Sequence, residues 1–291
     1  MKCIFKLFTA ICLLATATSF AQEAVTTPLR YTDSNKGKFY IYWGGNRGYF
    51  TNSDIRFRGD DYDFTLENVQ ASDRPKGWHI DYINPTRMTI PQTNLRVGYF
   101  ISDKYNISFG VDHMKYVMDQ DKIVNYTGHY PGSNDTGENG NGIYGERVPG
   151  EPGKVLLTEE FLTFEHTDGL NYINAEINRV DDISKLFGIW NTDKVQINLT
   201  EGVGFGLVFP KTNTKLLGKE RYDEFHVAGL GFSAKAGLNI TFFKHFFVQA
   251  ELKGGYIDMY DVRTTSDKAD KAMHNFWFGQ TVIAFGGIFR L

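Results

Sequence analysis

The chain has 291 residues, a formal net charge of −3 and aromatic residues at 15% of its positions. So small a net charge does not suggest a nucleic-acid-binding protein. Its 30 glycines and 8 prolines, with a mean hydropathy of −0.33, indicate a β-rich chain with polar loops. A secreted β-sandwich has similar statistics, but several segments of this chain alternate for longer than the roughly six residues of a typical sandwich strand.

The first residues have the pattern of a secretory signal peptide. Lys2 and Lys6 precede an apolar run at 7–17, and Ser19-Phe20-Ala21 forms the small-x-small pattern of a cleavage site. Both cysteines of the chain fall inside this leader, so we expect no disulfide in the mature protein. We predict a signal peptide at 1–21, a short periplasmic N-terminal segment at 22–36 and an outer-membrane β-barrel at 37–291.

The last stretch, 275–291, is an aromatic-rich strand with no polar tail after it. Taken in steps of two, Trp277, Ile283, Phe285 and Phe289 share one face. Such a strand either has its edge buried or is closed against the first strand of a barrel. Because the chain begins with a secretory leader, we favour closure, which predicts a transmembrane barrel in an outer membrane.

Eight segments alternate between apolar and polar residues over the length needed to cross a membrane as tilted strands. They begin near 38 and reach 58, then cover 93–101, 107–114, 161–180, 195–209, 225–242, 246–260 and 275–291. The predicted fold is therefore an all-β, eight-stranded antiparallel transmembrane barrel. Ten strands remain an alternative if 54–90 contributes a membrane hairpin.

The lengths of the connections orient this barrel. Short turns at 102–104 and 243–245 belong on the periplasmic side, and long loops belong outside. The long external loops are predicted at 59–90 and 119–158, with a charged loop at 211–224. The segment at 161–180 is interpreted as one strand although Asp168-Gly169 resembles a turn, because a turn there would place the later loops on the wrong sides. A glycine bulge explains the shift in its pattern.

Charged side chains on the inward faces predict a polar network in the lumen. An eight-stranded barrel is only wide enough to be filled by side chains, so charges of both signs are expected to pair there. A narrow ion or proton path is the alternative use of the same residues. The predicted network consists of Arg96, Asp112, Glu176, Lys235, Glu251 and Lys253.

The leader, the eight alternating segments, the short inner turns, the long outer loops and the aromatic final strand resemble the small outer-membrane barrel families of the OmpX, OmpW and OmpA-barrel kind. The resemblance implies a Gram-negative cell envelope, contact with outer-membrane lipid and lipopolysaccharide, and insertion by the outer-membrane assembly machinery through the C-terminal strand. The even number of strands predicts that both termini lie in the periplasm, and we expect a monomer. These families include adhesion proteins, small-molecule channels and lipid A enzymes, so the fold alone does not select a function.

One stretch, Glu165-His166-Thr167-Asp168, offers candidate catalytic residues. It is similar to the His-x-Ser element of the lipid A 3-O-deacylases, whose histidine, serine and acid cleave an acyl ester. Here His166 matches the histidine, but Asp168 occupies the nucleophile position and Thr167 points to the opposite face of the strand. A serine-type mechanism needs a hydroxyl within hydrogen-bond reach of the imidazole.

The other histidines have no metal-ligand spacing, and the acidic run at 60–63 lacks the ordered ligand spacing of a calcium loop. The sequence therefore predicts neither a metal nor a cofactor. Three functions stay open. The first and favoured one is a non-enzymatic barrel with a structural or surface-binding role through its outer loops. The others are a lipid A acyl hydrolase using His166 and a narrow channel for small or apolar solutes.

Overall fold

The computed structural model describes residues 33–77, 91–131, 148, 151 and 153–291. The predicted signal peptide at 1–21 lies outside these residues. The described strands are β1 (Lys38–Phe50), β2 (Ser53–Arg58), β3 (Asp63–Val69), β4 (Ala71–Ser72), β5 (Thr93–Phe100), β6 (Tyr105–Met118), β7 (Ile123–His129), β8 (Lys154–Leu156), β9 (Leu162–Asp182), β10 (Val195–Leu216), β11 (Tyr222–Phe225), β12 (Gly229–Phe242), β13 (Phe246–Arg263) and β14 (Lys271–Arg290). A short 3-10 helix, Ser184–Phe187, lies between β9 and β10.

Eight of these strands form a closed antiparallel ring. They pair in the order β1, β5, β6, β9, β10, β12, β13 and β14, and β14 pairs back to β1 from Phe50↔Phe278 to Lys38↔Arg290. Closure leaves these strands without a free edge, which is how a barrel avoids unpaired backbone groups. The prediction of an eight-stranded barrel is confirmed. The ten-strand alternative is wrong for the described residues, because β2 and β3 are not members of the closed ring: β2 pairs with the far end of β14, and β3 pairs with β7.

The outward side chains of the ring strands form an apolar belt. Phe109 is 69% exposed and Phe205 is 61% exposed, the reverse of what a soluble core would require. The rings of Tyr256 and Trp277 are in contact, with centroids 5.2 Å apart and their planes tilted by 58°. Further belt residues are Ile41, Val97, Ile107, Ile177, Val203, Leu238, Val248, Ile283 and Phe285.

Beyond one edge of the belt the barrel continues as an outer section, in which the apolar face points inward. In β10, the belt residues Phe205 and Leu207 are exposed, but further along Leu216 is buried and Lys215 is exposed. The strand therefore keeps its alternation while the polarity of its two faces reverses. The outer section comprises β2, β3, β4, β7, β8, β11 and the ends of β6, β9, β10, β13 and β14 that lie beyond the belt.

The outer section corrects several loop predictions. The loop predicted at 211–224 is wrong, because β10 extends to Leu216 and β11 pairs with it. The predicted loops 59–90 and 119–158 contain β3, β4, β7 and β8 within their described parts. The first segment is broken between β1 and β2, although both strands pair with β14 in the same direction. The sixth ring strand begins at Gly229, later than predicted.

Strand β9 runs without a turn through Asp168-Gly169, as predicted. Gly169 has a φ of 145°, a conformation that residues with a Cβ rarely adopt. The pairing register shifts on both sides of it, between Met114 and Tyr116 on β6 and between Pro210 and Asn213 on β10. The irregularity is therefore a bulge that re-phases β9 between the outer section and the belt.

Candidate functional site

The six charged residues predicted for the lumen lie together, and we call them the lumen cluster. Lys253 Nζ lies 2.6 Å from Asp112 Oδ2 and 2.8 Å from Glu176 Oε1. Because β13 does not neighbour β6 or β9, these ion pairs cross the barrel interior. Arg96 contacts Glu176 at 3.0 Å and Asp112 at 3.5 Å. Lys235 completes the cluster by contacting Glu176 at 2.9 Å and Glu251 at 3.1 Å.

Neutral side chains add hydrogen bonds to the lumen cluster. The Tyr42 hydroxyl donates to Glu251 at 2.9 Å, and Asn94 and Asn174 both donate to Asp112, at 2.6 and 3.0 Å. The cluster contains three cations and three anions, and all six side chains are at most 4% exposed. Buried charges are tolerated only when they are paired and hydrogen-bonded, and these side chains fill the middle of the lumen.

Above the lumen cluster, the interior of the outer section is apolar. Phe57 stacks on Phe64 with ring centroids 5.3 Å apart and meets Phe164 edge-on at 5.4 Å. We call this packed interior the outer core. Its largest fully buried residues include Ile55, Phe57, Tyr62, Phe64, Leu66, Met114, Tyr116, Phe161, Phe164 and Phe276. The lumen is thus filled by a charged layer and then by an apolar layer.

The candidate His166 lies inside the outer core. Its Nε2 is 3.5 Å from Nε2 of His274, and its Nδ1 is 2.9 Å from Oγ1 of Thr212. Burial lowers the pKa of His166 well below its ordinary value, with a further contribution from His274, and burial lowers the pKa of His274 to about 3. Both imidazoles are therefore neutral at physiological pH, and neither reaches the surface, since both residues are buried.

The other members of the predicted catalytic stretch lie elsewhere. The Thr167 hydroxyl donates to Glu165, which also binds Arg74 at 3.0 Å. Asp168 is half exposed and faces Lys211 at 3.5 Å. The structure brings His166 together with Thr212 and His274, which sequence reasoning missed because the three residues come from different strands. The Thr212 hydroxyl lies within hydrogen-bond reach of one imidazole nitrogen of His166, but the other nitrogen faces His274 and not an acid. All three residues are buried.

The described residues contain neither a metal-binding cluster nor a membrane-spanning helix. Within 33–77, 91–131 and 153–291, no three metal-binding side chains of His, Cys, Asp or Glu come close enough to hold an ion. No helix in the described part of the chain has the length and apolar character needed to span a membrane.

The closed ring, the apolar belt and the filled lumen define a small eight-stranded β-barrel. No family model and no curated protein matches the chain. Solved structures similar to it include Ail, the attachment invasion locus protein of Yersinia pestis, at 10% identity over 87% of this chain and 99% of that chain, with a TM-score of 0.31. Another is the outer membrane protein OprG from Pseudomonas aeruginosa, at 10% identity over 89% and 98%, with a TM-score of 0.36. Neisserial surface protein A matches at 11% identity over 87% and 99%, with a TM-score of 0.32. The barrel assignment itself rests on the strand pairing within this chain.

Proposed function

We propose that this protein is a closed outer-membrane barrel that conducts no solute and uses its outer section as a rigid surface for binding outside the cell. The observation that carries the proposal is the filled lumen. Ion pairs of the lumen cluster join β13 to β6 and β9 across the interior, and the outer core packs above them. A solute would have to displace both layers.

The apolar belt supports a membrane location. Exposed large apolar side chains circle the ring, and an exposed band of this size in water would drive aggregation. Surrounded by lipid, the same band is stabilising. The belt is thus the surface that would contact outer-membrane lipid and lipopolysaccharide. The connections at 101–104 and 243–245 are short, which supports an orientation with that end in the periplasm and the outer section outside.

The outer section supports a binding role more than a passive one. Strands β2, β3, β7 and β8 extend the sheet beyond the membrane, and the outer core fixes them from within. A packed core outside the membrane holds the outer surface in one conformation. The surface then loses less conformational entropy when a partner binds, so binding costs less free energy.

Planar lipid bilayers test the proposed closure. Purified full-length protein should give no discrete conductance steps, under conditions in which an open barrel such as a porin does. Conductance steps that depend on the added protein would contradict the proposal and favour the channel alternative.

The enzyme alternative is tested by the mass of lipid A. Lipid A from cells with the protein should have an unchanged mass, and the loss of an acyl chain that His166→Ala abolishes would overturn the non-enzymatic assignment.

A further inference from the structure

One charged side chain of β10 lies within the apolar belt. Along 195–207, outward side chains alternate with lumen side chains, and every outward residue except Glu201 is apolar. Val203 follows Glu201 on the same face and is 62% exposed. Leu199 precedes it and pairs in register with Leu238, a belt residue that is 50% exposed. Glu201 therefore has belt residues on both sides along its strand.

The carboxylate of Glu201 is not paired within its own chain. A charge that faces lipid is costly, so charged residues within a membrane are expected to pair. The register partner of Glu201 on β9 is Arg179. The Arg179 guanidinium nevertheless turns to Asp181, with Nε 2.5 Å from Oδ2 and Nη2 3.2 Å from Oδ1. Within the described part of the chain, the Glu201 side chain forms neither a hydrogen bond nor a close ion pair.

The charges on this face are balanced in sign. Lys104 pairs with Asp181 at 3.1 Å, so the face carries two cations, Lys104 and Arg179, and two anions, Asp181 and Glu201. A guanidinium has five N–H donors, and the Arg179 side chain is 48% exposed, which leaves it able to bind a second carboxylate. A face with equal numbers of both signs is complementary to another copy of itself and not to a partner of one sign.

The rest of this face is apolar and exposed. Val203 pairs in register with Ile177, and Phe205 pairs with Ala175. Ile177 is 58% exposed and Phe205 is 61% exposed, so the charged residues are followed by a large apolar surface. Ala175 is the small residue of the set and leaves room for a large side chain from outside. The face continues toward the outer section with Ile173 and Leu207.

We propose that β9 and β10 form the interface of a homodimer within the membrane, in which Glu201 of each copy pairs with Arg179 of the other. Both copies have the same orientation in the membrane, so the two-fold axis is parallel to the membrane normal. When this axis passes between β9 and β10, a residue of β10 comes opposite its register partner on β9 of the second copy. Glu201 then meets Arg179, and the large Phe205 meets the small Ala175, each contact occurring twice. The monomer expected from the sequence is replaced by a dimer.

Energy transfer between copies in lipid vesicles tests for the dimer. Both cysteines of the chain fall within the predicted signal peptide at 1–21. Lys268→Cys, at the exposed outer end, therefore gives the exported protein one site for a donor or an acceptor dye. In phosphatidylcholine vesicles, energy transfer should persist when added lipid dilutes the protein below the density of chance encounters. Transfer that falls with dilution as chance encounters require would overturn the proposal.

Charge reversal tests which residues pair. Glu201→Arg makes both members of each contact cationic, and Arg179→Glu makes both anionic. Each variant alone should associate at least about tenfold more weakly than the wild type. A mixture of the two variants should regain wild-type association, because each contact then joins one cation to one anion. Pairing within one chain cannot produce this rescue, since each variant chain has like charges at both positions. The rescue also shows that both variants fold.

Arg290→Glu is the matched control. Arg290 is exposed on β14, which lies across the ring from β9, so reversing its charge should leave association unchanged. Three results would each overturn the proposal: no rescue in the mixture, equal association by the wild type and Glu201→Arg, or an equal loss with Arg290→Glu.

The interface rests on the membrane location in the proposed function but not on the closed lumen. Planar bilayers report on the lumen, and energy transfer reports on the interface. A conducting barrel that still associates through Glu201 would overturn the proposed function and leave this inference standing. A closed barrel without association would do the reverse.

Discussion

Lys253 is the residue on which the lumen cluster depends most directly. It contacts Asp112 and Glu176 from the opposite wall of the barrel. Lys253→Met therefore removes a cation with which both buried carboxylates pair. Removing one partner of a buried ion pair destabilises by about 3 to 5 kcal/mol. We expect a loss of that size in the free energy of unfolding, measured by urea titration of the protein in detergent micelles with tryptophan fluorescence.

Lys104→Met is the control for this prediction. Lys104 also forms an ion pair, with Asp181 at 3.1 Å, but its side chain is 62% exposed. Exposed pairs contribute up to about 1 kcal/mol, so the control should unfold within about 1 kcal/mol of the wild type. If the two variants lose the same stability, the lumen cluster is not the buried network described here.

Sequence reasoning reached the residues of the lumen cluster but not their contacts. The side chains of Arg96, Glu176 and Lys253 were predicted to point into the lumen because side chains alternate between the two faces of a strand. Which cation meets which anion depends on the order of the strands around the ring and on their tilt, and no local pattern encodes either. The environment of His166 was missed for the same reason, since Thr212 and His274 come from β10 and β14.

At the scale of one element, the bulge at Gly169 joins the two parts of β9. Gly169→Ala should destabilise the barrel by about 1 to 3 kcal/mol, because a φ of 145° is strained for a residue with a Cβ. The added Cβ would also clash with Asn171 Nδ2. The measurement is the urea midpoint in micelles.

Gly254→Ala is the matched substitution for that measurement. Gly254 lies on β13, and an added Cβ would meet no atom closer than the Phe278 carbonyl at 3.8 Å. We expect its midpoint to equal or exceed that of the wild type, because alanine restricts the unfolded chain more than glycine does. A wild-type midpoint for Gly169→Ala would show that the bulge does not need this conformation.

The strands of the belt were predictable and those of the outer section were not. In the belt, alternation combines an apolar outward face with a polar lumen face, and that pattern identified the ring strands. Beyond the belt, solvent replaces lipid and the outer core replaces the lumen cluster. The charged residues around Lys211 and Lys215 then have the composition of a loop although they belong to β10. Their pairing with β9 and β11 depends on contacts distant in sequence.

At the scale of the whole molecule, the belt separates two ends that should differ in accessibility. Lys268 is exposed between β13 and β14 at the outer end, and Lys104 is exposed at the opposite end. A membrane-impermeant maleimide applied to intact cells should label Lys268→Cys and should label Lys104→Cys only after the outer membrane is permeabilised. Labelling of the Lys104 variant alone in intact cells would reverse the proposed orientation.

The outer core also has a consequence for the order of folding. It combines side chains from β2 and β3 near the start of the barrel, from β6, β7 and β9 in the middle, and from β14 at its end. Contacts between residues so distant in sequence carry the largest loop-closure cost and form late. The outer core is therefore completed late, when β14 pairs with β1 and β2. A chain whose ring has not closed leaves the aromatic side chains of the outer core exposed to proteases.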